Sequence, residues 1–210
     1  MPRTRIKICG ITRPEDGLAA ASLGVDAIGL VFYPPSPRAV DAAAASAIIR
    51  RLPPFVTSVG LFVNEEPAAV RDILRQVPLA LLQFHGDEEP DYCAAFDRPY
   101  LKAVPMGAGA DVADYARRFD RAAGLLLDSH GGARAGGTGQ CFDWTAIPAQ
   151  IAKPLVLAGG LSPANVAQAV RQIRPYGVDV SSRVEAAKGV KDLHLMRMFV
   201  EGVKSGDSSR

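Results

Sequence analysis

Apolar positions along this chain alternate between two patterns. Short apolar runs, several of them apolar at successive positions, occupy residues 6–9, 27–32, 56–63, 79–84, 100–104, 124–127, 155–158 and 178–180. Runs of this length and continuity predict strands buried on both faces, as in a parallel sheet covered by helices. Between them lie longer stretches with helical spacing. Residues 14–23 place Pro14 near the first turn and Gly24 just past the end, the asymmetry expected of a helix. Asp41 precedes 42–51, and Pro53 stops it. Asn64 precedes 65–76, with Glu65 and Glu66 in the first turn. Asp87 or Glu88 opens a stretch to Phe96. Further helices are predicted over 111–119, 144–151, 162–173 and 193–204, leaving 205–210 as a frayed polar tail.

The pattern is eight strand-then-helix units. Such alternation means βαβ units and a parallel sheet, and eight of them close into a (β/α)8 barrel. We therefore expect one barrel domain over 1–204. An open doubly wound sheet is the runner-up. It calls for a glycine-rich dinucleotide turn after the first strand, and here Cys9-Gly10-Ile11-Thr12 stands there instead.

Composition narrows the class without changing the fold. The 210 residues are 48% hydrophobic and 22% charged, ordinary for a globular domain. A net charge of +2 gives no argument for a nucleic-acid partner. No run is long enough for a membrane span, and the basic start lacks the apolar run of a signal peptide. Three cysteines (Cys9, Cys93, Cys141) without paired spacing fit a reducing compartment, so a cytoplasmic location is expected. The three histidines (His85, His130, His194) lie far apart, and no structural zinc site is expected.

In a barrel the chemistry sits at the C-terminal ends of the strands. The residues there are Cys9-Gly10, the proline-stiffened loop to Arg38, Asn64, His85-Gly86-Asp87, Pro105, Asp128 with the glycine-rich 131–139 loop, Gly159-Gly160, and Ser181-Ser182-Arg183. The loops after strands seven and eight are where barrels bind phosphate. Glycine lets backbone N–H groups approach the anion, and serine hydroxyls add donors. Cys9 and Asp128 are the candidate base and acid. A thiol, with an ordinary pKa of about 8.5, becomes a base when positive charge lies near. A partly buried carboxyl can hold and donate a proton. A strand cysteine also fits a core position, and an Asp after a strand also fits a turn. Arg38 can grip a carboxylate or point to solvent. His85 can contact ligand or bond a neighbouring carbonyl.

Taken in order, the strand-end segments resemble the phosphoribosylanthranilate isomerases of tryptophan biosynthesis. The matching stretches are Lys7-Ile8-Cys9-Gly10-Ile11-Thr12, Gly29-Leu30-Val31-Phe32 with Ser36-Pro37-Arg38, and Val59-Gly60-Leu61-Phe62-Val63-Asn64. Leu82-Gln83-Phe84-His85-Gly86, Leu125 to Asp128, Gly136-Gly137-Thr138-Gly139, Leu157-Ala158-Gly159-Gly160-Leu161 and Val178-Asp179-Val180-Ser181-Ser182 continue the series. The resemblance implies a (β/α)8 barrel and an Amadori rearrangement of N-(5-phosphoribosyl)anthranilate, with neither metal nor organic cofactor. It implies Cys9 as general base and Asp128 as general acid. Arg38 would bind the anthranilate carboxylate, and His85 and Asp179 would lie beside the substrate. Gly159, Gly160, Ser181 and Ser182 would cradle the phosphate. The partner would be a small phosphorylated substrate, with the chain a monomer or homodimer.

One position departs from the family pattern. After strand eight the family reads Ser-Ser-Gly-Val-Glu, and this chain reads Ser181-Ser182-Arg183-Val184-Glu185. A left-handed backbone there would cost a residue with a Cβ roughly 1–2 kcal/mol. Arg183 either engages the phosphate directly or crowds the cradle. Two alternatives follow. One is another phosphate-binding barrel enzyme, such as a synthase using Lys102. The other is a non-catalytic phospho-ligand binder, for which Arg183 is the argument.

Overall fold

The computed structural model describes residues 3–129, 142–148 and 150–208. His130, the 131–139 loop and Cys141, singled out above, lie outside the described residues. Eight strands form a closed barrel: β1 (Arg5–Cys9), β2 (Ala27–Val31), β3 (Thr57–Phe62), β4 (Leu81–Phe84), β5 (Tyr100–Pro105), β6 (Gly124–Asp128), β7 (Leu155–Leu157) and β8 (Gly177–Val180). Every neighbouring pair is parallel, and β8 returns to β1. That pairing excludes the open doubly wound sheet.

Alternation along each strand divides the side chains between two environments. Ile6, Ile8, Leu82, Phe84, Leu125, Leu127 and Val178 belong to the core between sheet and helices. Leu101, Ala103, Leu126, Val156 and Ala158 form a second, smaller cluster, which fills the barrel interior. The same alternation turns Lys7 and Cys9, Gln83 and His85, and Asp179 inward. The continuous apolar runs therefore hide a second register in which every other residue is free to be polar.

The helices are α1 (Pro14–Ser22), α2 (Ala42–Arg51), α3 (Pro67–Gln76), α4 (Pro90–Cys93), α5 (Val112–Arg118), α6 (Val166–Ile173) and α7 (Leu193–Ser208). Proline opens α1, α3 and α4, where its missing N–H costs no helical bond. Asp41 caps α2 by accepting from Ala44 N at 2.7 Å, and Asp111 caps α5 from Ala113 N at 2.8 Å.

Three expectations are corrected. The helix predicted over 144–151 is a single 3-10 turn, Trp144–Ala146, because Pro148 cannot continue it. The stretch from Glu88 to Phe96 keeps only the four residues of α4, and left-handed Asp97 (φ 50°) follows it. The polar tail from Ser205 is helical through Ser208. Gly206 is buried where a Cβ would stand 2.7 Å from Val170 Cβ, and Asp207 accepts from Thr4 N and Oγ1 at 2.9 and 2.8 Å. A two-stranded hairpin, β9 (Glu185–Ala187) with β10 (Val190–Lys191), was not predicted and stands beside the barrel mouth.

Candidate active site

Register places the first pair. Lys7 on β1 lies directly across from Asp179 on β8, and Cys9 lies across from Gly29 on β2. Lys7 Nζ donates to Asp179 Oδ1 at 2.9 Å, with both side chains less than a tenth exposed. Burial works against the Lys7 charge, but Asp179 and Cys9 together hold the ammonium above the ordinary lysine value. Cys9 itself is buried, at 4% exposure. Burial pushes its thiol up and Lys7 pulls it back; Asp179 and Lys191 act in opposite senses behind them, and the net direction is up. Gly29 makes the space for this arrangement: a Cβ there would stand 2.6 Å from Cys9 Sγ and 3.1 Å from Lys7 Nζ.

Asp128 ends β6 on the opposite wall. His85, just beyond β4, brings its Nε2 to 3.2 Å from Asp128 Oδ2. Behind the imidazole, Gln83 Nε2 lies 2.9 Å from His85 Nδ1. Asp179 also feels both groups. Burial pushes its carboxyl up against the pull of Lys7, and Asp128 adds to the rise while His85 opposes it.

A cleft at the mouth is lined by Asp128, Gly159, Gly160, Asp179, Ser181, Ser182 and Arg183. Gly159 and Gly160 are both left-handed, with φ of 67° and 72°. A Cβ on Gly159 would fall 2.3 Å from Ser129 N, so only glycine fits. Arg183 is exposed in the 3-10 turn Ser182–Val184 and is absent from the left-handed positions. The backbone strain considered for an arginine at this point does not arise.

Arg38 reaches the same rim from the loop after β2. Its Nε and Nη2 donate to Glu185 Oε1 and Oε2 at 2.7 and 2.8 Å. Lys191 Nζ donates to Glu185 Oε1 at 2.8 Å and to Ser181 O at 3.0 Å. Burial works against the Glu185 charge, but Arg38 and Lys191 hold its carboxyl below the usual glutamate value. The Nε–Nη2 edge of the guanidinium is thus spent on Glu185, and the Nη1–Nη2 edge keeps the fork geometry that suits a second carboxylate. Lys102 lies elsewhere. It is buried against Glu88 at 2.7 Å and donates to Gly86 O, and Glu88 accepts from Asn64 N at 2.8 Å and Gly86 N at 2.9 Å. It pins two loops and takes no place in the cleft.

All the candidate residues, Cys9, Arg38, His85, Asp128, Gly159, Gly160, Asp179, Ser181, Ser182 and Arg183, therefore stand at one end of the barrel. Sequence reasoning did not single out Lys7, Gln83, Glu185 or Lys191. For Lys7 and Gln83 a signal existed: each stands two residues before a candidate on the same strand and so faces the same way. Among the described residues no group of His, Cys, Asp and Glu could hold a metal ion, and no helix is long and apolar enough to cross a membrane.

Comparison with known proteins gives one answer. A family model described as N-(5'phosphoribosyl)anthranilate (PRA) isomerase matches residues 6–202. The chain is 58% identical over 205 residues to the N-(5'-phosphoribosyl)anthranilate isomerase of Pseudomonas aeruginosa strain UCBPP-PA14, covering 98% of this chain and 97% of that one. The crystal structure of phosphoribosyl anthranilate isomerase from Thermotoga maritima superposes with a TM-score of 0.87 at 40% identity, over 96% of this chain and 98% of that one. A further isomerase structure, solved in complex with reduced 1-(o-carboxyphenylamino)-1-deoxyribulose 5-phosphate, gives 0.81 at 38% identity, with the same coverage. With a closed eight-stranded parallel barrel and matches over nearly its whole length, the chain belongs to the N-(5'-phosphoribosyl)anthranilate isomerase family.

Proposed function

We propose that this chain converts N-(5-phosphoribosyl)anthranilate to 1-(2-carboxyphenylamino)-1-deoxyribulose 5-phosphate, with Asp128 as general acid and Cys9 as general base. The observation that carries the reading is the shared cleft: Asp128 lines it together with Gly159, Gly160, Ser181 and Ser182. A phosphate held by those loops sets the sugar ring against Asp128. Asp128 gives its proton to the furanose ring oxygen as the C1–O bond breaks, and the anilino nitrogen lone pair forms the C1=N iminium. The hydrogen on C2 is then acidic. Cys9, as thiolate beside the Lys7 ammonium, removes it, and the electron pair moves to give the enolamine. Loss of the C2 hydroxyl proton and protonation at C1 yield the ketone. Arg38, its guanidinium oriented by Glu185, offers its remaining edge to the anthranilate carboxylate. Arg183 adds a cation to the phosphate cradle. Arg183 carries no left-handed strain, which removes the backbone part of the argument for a non-catalytic binder.

The test is a steady-state assay of the purified chain on N-(5-phosphoribosyl)anthranilate, following loss of substrate fluorescence. Turnover is expected, and Asp128→Asn and Cys9→Ser should each reduce kcat by about 10²-fold or more while the protein stays folded. A folded wild-type chain without turnover would refute the proposal.

A further inference from the structure

Gln83 and His85 are two residues apart and share the inward face of the sheet. Gln83 is fully buried. One end of its amide meets His85 Nδ1, and the other, Oε1, is buried without a hydrogen-bonding partner among the described residues. On the far side of the imidazole stands Asp128. Amide, imidazole and carboxyl thus form a line from the barrel interior to the cleft.

We propose that Gln83 is a positioning residue whose amide turns over with each cycle, donating to His85 Nδ1 when the Asp128–His85 pair has lost its proton and accepting from it when the pair is loaded. The inference rests on the reading of Asp128 as the acid. Proton counting carries it. When the Gln83 NH2 donates to Nδ1, that nitrogen carries no hydrogen, so the neutral ring holds its hydrogen on Nε2 and donates it to the Asp128 carboxylate. This is the pair after the ring oxygen has taken its proton. Loading the pair adds one proton. If the proton sits on the Asp128 carboxyl and is donated to Nε2, the ring hydrogen moves to Nδ1. If it sits on the ring, both nitrogens carry hydrogen. In either case Nδ1 becomes a donor facing an NH2 group, and the conflict is relieved when the amide turns to present Oε1. The partnerless Oε1 is what leaves that turn unopposed, since no other described group holds the amide in one orientation. The pair reloads with the proton that the C2 hydroxyl releases on ketonisation, so no further reactant is needed. The charged groups around the imidazole are Asp128 on β6, Asp179 on β8 with its partner Lys7 on β1, and the Glu88–Lys102 pair beneath Gly86.

The experiment is 15N NMR of the full chain labelled at histidine, with His85→Asn to assign the signal, read against the pH profile of kcat. As pH falls through the alkaline limb, His85 Nδ1 should change from acceptor to donor. Gln83→Glu, which can only accept, should carry the alkaline limb to higher pH, and Gln83→Met should lower kcat by about tenfold with KM unchanged. A wild-type Nδ1 that keeps one character across the limb would overturn the proposal. So would Gln83→Glu and Gln83→Met profiles that both match the wild type. Undiminished turnover in Asp128→Asn would instead sink the acid assignment, and the NMR result would still report on the amide by itself.

Discussion

In the proposed mechanism, replacing Lys7 with methionine removes the cation that lets the buried Cys9 thiol serve as a base. The distances from a Cβ on Gly29, 2.6 Å to the thiol sulfur and 3.1 Å to the ammonium, bound the separation of the two groups. Even at the outer bound of about 6 Å, with an effective dielectric of about 20, the pair is worth about 3 kcal/mol, or about a hundredfold in the thiolate fraction. Burial already pushes the Cys9 thiol up, and Lys7 is the stronger of the two lysines that pull it back. Its loss raises the thiol further, so less thiolate is present at any given pH. The acid limb of kcat/KM should therefore move to higher pH by about two units, and kcat/KM near neutrality should fall by about 10²-fold. Activity should recover by about tenfold for each unit of added pH. Because the change also strands Asp179, the double variant Lys7→Met/Asp179→Asn belongs in the same experiment, with thiolate absorbance read against Cys9→Ala. An acid limb that stays in place in Lys7→Met would refute the reasoning, whatever happens to the rate.

Gly159→Ala forces a Cβ into a left-handed residue and 2.3 Å from Ser129 N, so steady-state kinetics should show KM raised and kcat/KM down by at least about tenfold, from roughly 1–2 kcal/mol of backbone strain plus the clash. Wild-type kinetics in a folded Gly159→Ala would show that the cradle does not bind phosphate. Lys102→Met leaves Glu88 buried without its counter-charge and should destabilise the fold by about 3–5 kcal/mol in urea unfolding; a change under about 1 kcal/mol would mean that the pair's desolvation cancels its attraction. Arg183→Gly should keep kcat and raise KM by no more than about fivefold, the scale of an exposed charge contact, with the difference vanishing at high salt. A salt-independent change would place the effect in the backbone instead.

The strands were legible because each is a short apolar run, and a parallel barrel asks for little else. Helix ends were less so. The Glu88 carboxylate bonds Gly86 N and, across 24 residues of chain, Asn64 N, with buried Lys102 as its counter-charge, partners that local helix signals do not show. Pro148 did announce the end of the 3-10 turn at Trp144, and the helix predicted there ran through it. The helical Ser205–Ser208 segment depends on Val170 and Thr4, which local composition does not show. At the barrel mouth, the positions of Cys9, Asp128 and the glycine and serine loops were readable from residue type at a strand end. Their supports were not. Lys7 meets Asp179 across 172 residues of chain, and Arg38 meets Glu185 across 147. The alternation that fixes the direction of Lys7 and Gln83 was present all along, masked by apolar neighbours that face the helices.

The seam between β1 and β8 has a consequence for when the protein becomes an enzyme. Among the eight barrel strands, β1 is made before the others and carries the thiol and its lysine, and β8 is made after the others and carries the carboxylate that holds that lysine. Domains emerge N-terminus first, and this contact spans nearly the whole chain. A nascent chain lacking β8 presents Cys9 and Lys7 on an open edge without the Asp179 counter-ion. Competence therefore arrives in a single step at barrel closure, so a truncated chain is a failed assembly and not a slower catalyst.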